Sequence, residues 1–142
     1  MKTKLLLILL LFSLITSAQT NLVVNGNFEN WSSSSQPDNW FQYSNGEASQ
    51  SATAQNGLSS VKMKILDGTI NFINTGYFPV VASKTYRVTA YHKLVSGTFT
   101  SLDFSLYHKP STFKAEIAKK TDFAFSNSAW TKIEFDYTAT VS

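Results

Sequence analysis

Val61-Lys62-Met63-Lys64-Ile65-Leu66-Asp67-Gly68-Thr69-Ile70-Asn71-Phe72-Ile73-Asn74 is the stretch that decides the fold class. Val61, Met63 and Ile65 alternate with Lys62 and Lys64, and Ile70 and Phe72 alternate beyond an Asp-Gly pair. A strand sends successive side chains to opposite faces, so this period of two marks strands with one buried face. A two-residue Asp-Gly loop between two such runs predicts a β-hairpin. With Leu66 opposite Thr69, Ile65 faces Ile70 and Met63 faces Phe72 on one core face. Lys62, Lys64, Asn71 and Ile73 then take the other face.

The same period runs outward from this segment. Thr85 to Leu94 places Tyr86, Val88, Ala90, His92 and Leu94 on one face and Arg87, Thr89, Tyr91 and Lys93 on the other. Thr98 to His108 sets Leu102, Phe104 and Leu106 against Asp103, Ser105 and Tyr107. Trp130 to Thr140 sets Ile133, Phe135 and Tyr137 against Lys132, Glu134 and Asp136. Weaker strands are expected at 22–24, 39–43, 47–54, 113–117 and 122–125, and Lys114 to Lys120 could form a helical turn. Asn25-Gly26, Asn45-Gly46, Asn56-Gly57, Asp67-Gly68 and Ser96-Gly97 punctuate the runs. Short strands with regular turn signals predict an all-β fold, an antiparallel β-sandwich or jelly roll. Ser32 to Ser35, flanked by Trp31 and Trp40, reads as a surface loop.

The first 18 residues stand outside this pattern. Lys2 and Lys4, the apolar run Leu5 to Ile15 and the small residues Thr16-Ser17-Ala18 have the order of a secretory signal peptide. The run is shorter than the roughly 20 residues a spanning helix needs. Export to the cell surface or medium is expected, with no membrane insertion after cleavage. Removing 18 of the 142 residues leaves 124, residues 19–142, enough for one domain. The formal charge of +3 includes Lys2 and Lys4, so the mature chain is close to +1 and offers no basic face for nucleic acid. There is no cysteine, which excludes disulfides and a thiol-linked lipid anchor and leaves stability to the core, with or without a metal.

Several segments in order resemble a known group. Asn21-Leu22-Val23-Val24-Asn25-Gly26-Asn27-Phe28-Glu29 is similar to the first strand of carbohydrate-binding modules of families 4, 9, 16 and 22. Pro37-Asp38-Asn39-Trp40, Gly57 to Met63, Pro79 to Val88 and Trp130 to Phe135 resemble successive motifs of that group. The leader ending Ala18-Gln19 resembles those of Bacteroidetes exported proteins. The resemblance implies the galactose-binding-domain-like jelly roll, with Trp40 and Trp130 at packing positions. It also implies a further strand after the Trp130 segment. The expectation is therefore a chain lacking its last strand, or the front module of a longer protein with further domains.

Sugar recognition needs a flat ring to stack on the apolar face of a saccharide and polar groups for its hydroxyls. The faces opposite the core offer Arg87 and Tyr91, Asp103 and Tyr107, Glu134 and Asp136, and Asn71. Trp31, Trp40, Tyr43, Tyr77 and Phe78 are further stacking candidates in loops. The resemblance implies a structural calcium ion beside the first strand, with Glu29 at the acidic position and Asn25 or Asn27 adding oxygens. Calcium takes six to eight oxygen ligands, which carbonyls and one carboxylate can begin to supply.

Catalysis finds little support. Glu134 and Asp136 point the same way from one strand, roughly 6–7 Å apart by strand rise, whereas glycosidase carboxylates face each other across a cleft. His92 falls on the core face and His108 at a strand end, without metal-pair spacing. No nucleophile elbow, His-Glu-x-x-His or phosphate loop is present. The residues thus point to a non-catalytic binder of oligo- or polysaccharide. The alternatives are a structural or adhesion spacer without sugar affinity, and the accessory domain of a larger secreted glycoside hydrolase.

Overall fold

A computed structural model describes residues 20–42, 46–66, 70–108, 115–122 and 124–140. The segment expected to be a signal peptide and the Asp67-Gly68 pair expected to be a turn therefore lie outside the described residues, as does Tyr43. Ten strands and no helix are found among the described residues. In chain order they are β1 (Trp31–Ser33), β2 (Gln36–Pro37), β3 (Trp40–Gln42), β4 (Glu47–Ser51), β5 (Ser60–Lys64), β6 (Ile73–Thr75), β7 (Thr85–His92), β8 (Leu102–His108), β9 (Ala115–Asp122) and β10 (Thr131–Thr138). Every ladder is antiparallel: β1 with β2, β3 with β6, β4 with β5, β7 with β10 and β8 with β9. The chain is an all-β, antiparallel sandwich.

The long ladders follow the sequence alternation. Along β7 exposed Thr85, Arg87, Thr89 and Tyr91 alternate with half-buried Tyr86, Val88 and Ala90, ending at buried His92. Along β10 Ile133 is buried, with Phe135 and Tyr137 half-buried on the same side. Ala48, Ile133 and Ala139 are the buried apolar side chains among the described residues, and Pro37 is sealed completely. The inner faces of β7 and β8 meet at His92, whose ring lies 6.2 Å from Phe104 and 5.8 Å from Phe125. The buried imidazole is satisfied, because Nε2 lies 2.6 Å from Asp122 Oδ2 at the end of β9.

Four local expectations are corrected. Among the described residues β5 and β6 do not pair with each other: β5 pairs with β4, placing Met63 opposite Ala48, and β6 pairs with β3. Consequently Ile70 and Phe72 are exposed rather than on a core face. The long-range partner half-buries Val61 and Met63 against a strand earlier in the chain, and that tertiary choice overrides the local turn signal. Leu22 to Val24 is a bend and turn, not a strand, because Asn25 takes a left-handed φ of 52° and closes a turn onto Phe28. Of the expected helical turn over Lys114 to Lys120, the described part, 115–120, runs instead within β9, held by β8 across a bulge between Leu106 and Tyr107. Ser32 to Ser35 is a tight hairpin between β1 and β2, its Ser34 carbonyl accepting from Gln50 N at 2.8 Å.

Candidate functional site

The strongest convergence of polar groups lies on the outer face of the β7–β10 ladder. Register places Arg87 opposite Asp136, Thr89 opposite Glu134 and Tyr91 opposite Lys132. Residues two apart on a strand share a face, so these six side chains form one strip about 13 Å long. Arg87 donates from Nε to Asp136 Oδ1 at 2.8 Å and from Nη2 to Oδ2 at 3.0 Å, a two-pronged pair that fixes both planes. Thr89 Oγ1 donates to Glu134 Oε2 at 2.8 Å, and Lys132 Nζ reaches the same oxygen at 2.7 Å. Tyr91 closes the strip with its side chain 43% exposed.

The charges on this strip hold one another ionised. The Asp136 hydrogen bonds and charge, with a smaller effect of Glu134, raise the Arg87 guanidinium. Hydrogen bonding to Arg87 lowers the Asp136 carboxyl. Hydrogen bonding to Glu134 raises Lys132, and the bonds from Lys132 and then Thr89 lower Glu134. All four groups stay wet, so the pairing orders the side chains more than it stabilises the fold. Each cation is matched by a carboxylate, and the strip presents acceptors and donors side by side.

Asp103 and Tyr107 fall on a different ladder. They share the outer face of β8, and their polar contacts stay within the β8–β9 pair. Lys119 Nζ lies 3.6 Å from Asp103 Oδ2 and 3.8 Å from Glu116 Oε1. The Tyr107 hydroxyl donates to Glu116 Oε2 at 3.3 Å. Tyr107 is 53% exposed. Asn71 is apart from both strips. Its Nδ2 donates to Lys64 O at 2.9 Å and Glu47 O at 3.3 Å, and its Oδ1 accepts from Gln42 Nε2 at 3.3 Å. It ties the end of the β4–β5 ladder to β3.

The structure brings Arg87, Tyr91 and Glu134 together and leaves Asp103 with Tyr107, and Asn71, elsewhere. It adds Thr89 and Lys132, whose roles depend on the β7–β10 register. Those strands are far apart in sequence, and alternation within each gives no sign of which residues oppose.

Near the first segment, Glu29 Oε1 accepts from Leu58 N at 2.8 Å and Ser59 N at 3.0 Å, pinning the turn at Gly57. Asn25 Oδ1 accepts from Asn30 N at 3.0 Å, and its Nδ2 donates to Asn30 O at 2.8 Å and Asp38 O at 2.9 Å. The Asn25 carbonyl accepts from Trp40 Nε1 at 3.0 Å. The Asn25 amide is therefore already committed to protein, while the second oxygen of Glu29 has no hydrogen-bond partner among the described residues. No group of three or more His, Cys, Asp or Glu side chains placed to hold a metal occurs among the described residues.

A family model described as a carbohydrate binding domain matches residues 20–142. The chain belongs to that family. No curated protein and no solved structure matches it. Membership gives the carbohydrate-binding domain its general role, and the β7–β10 strip is the part of the described surface that best joins a ring to fixed polar groups. Hydroxyls of a saccharide are donors and acceptors at once, and paired carboxylate and guanidinium or ammonium groups can serve both functions.

Proposed function

We propose that this carbohydrate-binding domain is a non-catalytic module of an exported protein that holds glycan on the outer face of β7 and β10. Tyr91 stacks on the apolar face of a sugar ring. Arg87, Glu134 and Asp136 hydrogen-bond its hydroxyls, with Thr89 and Lys132 fixing the Glu134 carboxylate. The observation that carries the reading is the pairing of Arg87 with Asp136 and of Lys132 and Thr89 with Glu134, beside a half-exposed ring. Polar groups ordered in advance lose less freedom on binding, which favours affinity. An open strip removes little apolar surface, so binding is modest and suits targeting of an attached enzyme or adhesin.

Asp103 and Tyr107 supply a second ring-and-carboxylate pair on the β8–β9 ladder. A calcium ion beside the first segment belongs to the same proposal, with Glu29 as its carboxylate ligand through the oxygen not bonded to the 57–59 turn. Asn25 would contribute by shaping that segment, since its amide groups are taken. A glycan array tests the reading. Binding that weakens in Tyr91→Ala supports the β7–β10 face, and weakening in Tyr107→Ala supports the β8–β9 pair. A folded domain that binds no glycan on the array would make it a spacer.

A further inference from the structure

We infer that the domain carries a second saccharide subsite at the β1–β2–β3 end, distinct from both strips above. Ser32, Gln36, Pro37, Asp38, Asn39, Trp40 and Phe41 line a depression of about 590 Å3 that opens broadly to solvent. That volume falls within the range of small-ligand sites, roughly 300–1,000 Å3.

The floor is rigid. The Trp40 ring packs on Phe28 at 4.7 Å between centroids and its Nε1 is held by the Asn25 carbonyl. Alternation along β3 then turns the next side chain outward, and Phe41 is 48% exposed. An exposed ring beside a depression is a stacking surface for the apolar face of a sugar.

The rim is polar and has capacity to spare. Ser32 Oγ donates to Asp38 Oδ1, which orients the carboxylate. Asp38 N and O are fixed by Asn30 O and Asn25 Nδ2, both at 2.9 Å. Oδ2 of Asp38 keeps no hydrogen-bond partner among the described residues. Gln36 donates from Nε2 to the carbonyls of Pro37 and Trp40, leaving Oε1 as an acceptor. Asn39 stands at a left-handed φ of 66°, a conformation that costs a non-glycine residue energy. The depression thus offers a ring, a positioned carboxylate, amides and a hydroxyl, the same chemical set as the β7–β10 strip but on different strands.

The lining fixes the ligand class. Among the described residues it contains Asp38 and no Lys, Arg or His. A uronic acid or sulfated sugar would meet an unmatched carboxylate, so the subsite takes an uncharged sugar residue.

Affinity gel electrophoresis of the full chain tests this, with soluble xylan, mixed-linkage β-glucan and galactomannan as neutral polymers and polygalacturonate as the anionic control. Phe41→Ala, Asp38→Asn, Tyr91→Ala and the Phe41→Ala/Tyr91→Ala double variant are compared with wild type, each checked by circular dichroism. Phe41→Ala is expected to weaken retardation by a retained neutral polymer about fivefold while Tyr91 is intact, and the double variant more than either. If Phe41→Ala does not fold, the near-isosteric Asp38→Asn decides, with about threefold weakening expected. Wild-type retardation in both Phe41→Ala and Asp38→Asn would overturn the inference, as would retention on polygalacturonate alone or on none of the polymers. Loss in Phe41→Ala without loss in Tyr91→Ala would keep the subsite and remove the β7–β10 reading instead.

Discussion

His92 on β7 and Asp122 on β9 approach to 2.6 Å between Nε2 and Oδ2, with the histidine side chain 9% and the aspartate 18% exposed. Asp122 also accepts from Ala124 N at 2.9 Å through its other oxygen, so the carboxylate sets the end of β9 as well. The pair joins the two longest ladders.

Removing either partner should therefore loosen the junction of those ladders. A buried polar group left without its partner costs roughly 1–3 kcal/mol. Asp122→Ala and His92→Ala are each expected to destabilise by about that amount in urea unfolding, and the double variant by less than the sum. Additive losses would mean the two groups act separately.

On the β7–β10 strip, Tyr91→Ala removes a wet ring that packs little against the core. The folded state should change by no more than about 0.5 kcal/mol, since exposed sites away from special features are tolerant. Glycan binding should fall about five- to tenfold, as one stacking contact is worth about 1–1.5 kcal/mol. Isothermal titration beside a thermal melt separates the two effects.

The same strip has a defined acid response. Hydrogen bonds hold the Asp136 and Glu134 carboxyls below their ordinary values of 3.8 and 4.5. A lowered folded-state value means that their contribution is complete above the ordinary values and is lost as pH falls through the depressed ones. Glycan binding is expected to stay level from neutral pH down to about 5 and to fall only below about 4. Arg87→Ala should move the acid limb to higher pH, because Asp136 then loses the bonds that depress it. Affinity measured across pH 3 to 7 checks both statements.

At the 57–59 turn, Gly57 has a φ of +79°, and a Cβ there would collide with Glu29 Oε1. Gly57→Ala is expected to cost about 1–3 kcal/mol, from backbone strain and from displacing the carboxylate that two N–H groups need. If calcium binds through the second oxygen of Glu29, added calcium should raise the melting temperature relative to chelator in wild type and not in Glu29→Ala. Identical melting with calcium and chelator in wild type would end the calcium proposal.

Alternation alone was enough to read the class of the fold and the outward faces of β7, β8 and β10. Arg87, Thr89 and Tyr91 point away from the core for the same reason that Val88 and Ala90 do not. Which strands lie side by side was not legible. The Asp-Gly pair promised Met63 a partner in Phe72, yet Met63 faces Ala48, since a local turn signal competes with burial that only the whole chain defines. The candidate site suffered likewise: Arg87 and Glu134 proved neighbours, whereas Tyr107 and Asn71 sit on other ladders. Asp38 and Phe41 could not be read as a site because neither belongs to a long alternating run.

Asn25 holds three backbone groups with one amide, and it precedes Gly26. Asparagine followed by glycine is open to slow loss of its side-chain nitrogen when the amide can swing onto the next backbone nitrogen. Here the amide is tethered, so the native chain shields itself from that ageing. Molecules that unfold lose the shield, and those that convert return with a carboxylate aimed at the Asn30 and Asp38 carbonyls. Stored protein should thus accumulate damage at this dipeptide in proportion to the time it has spent open.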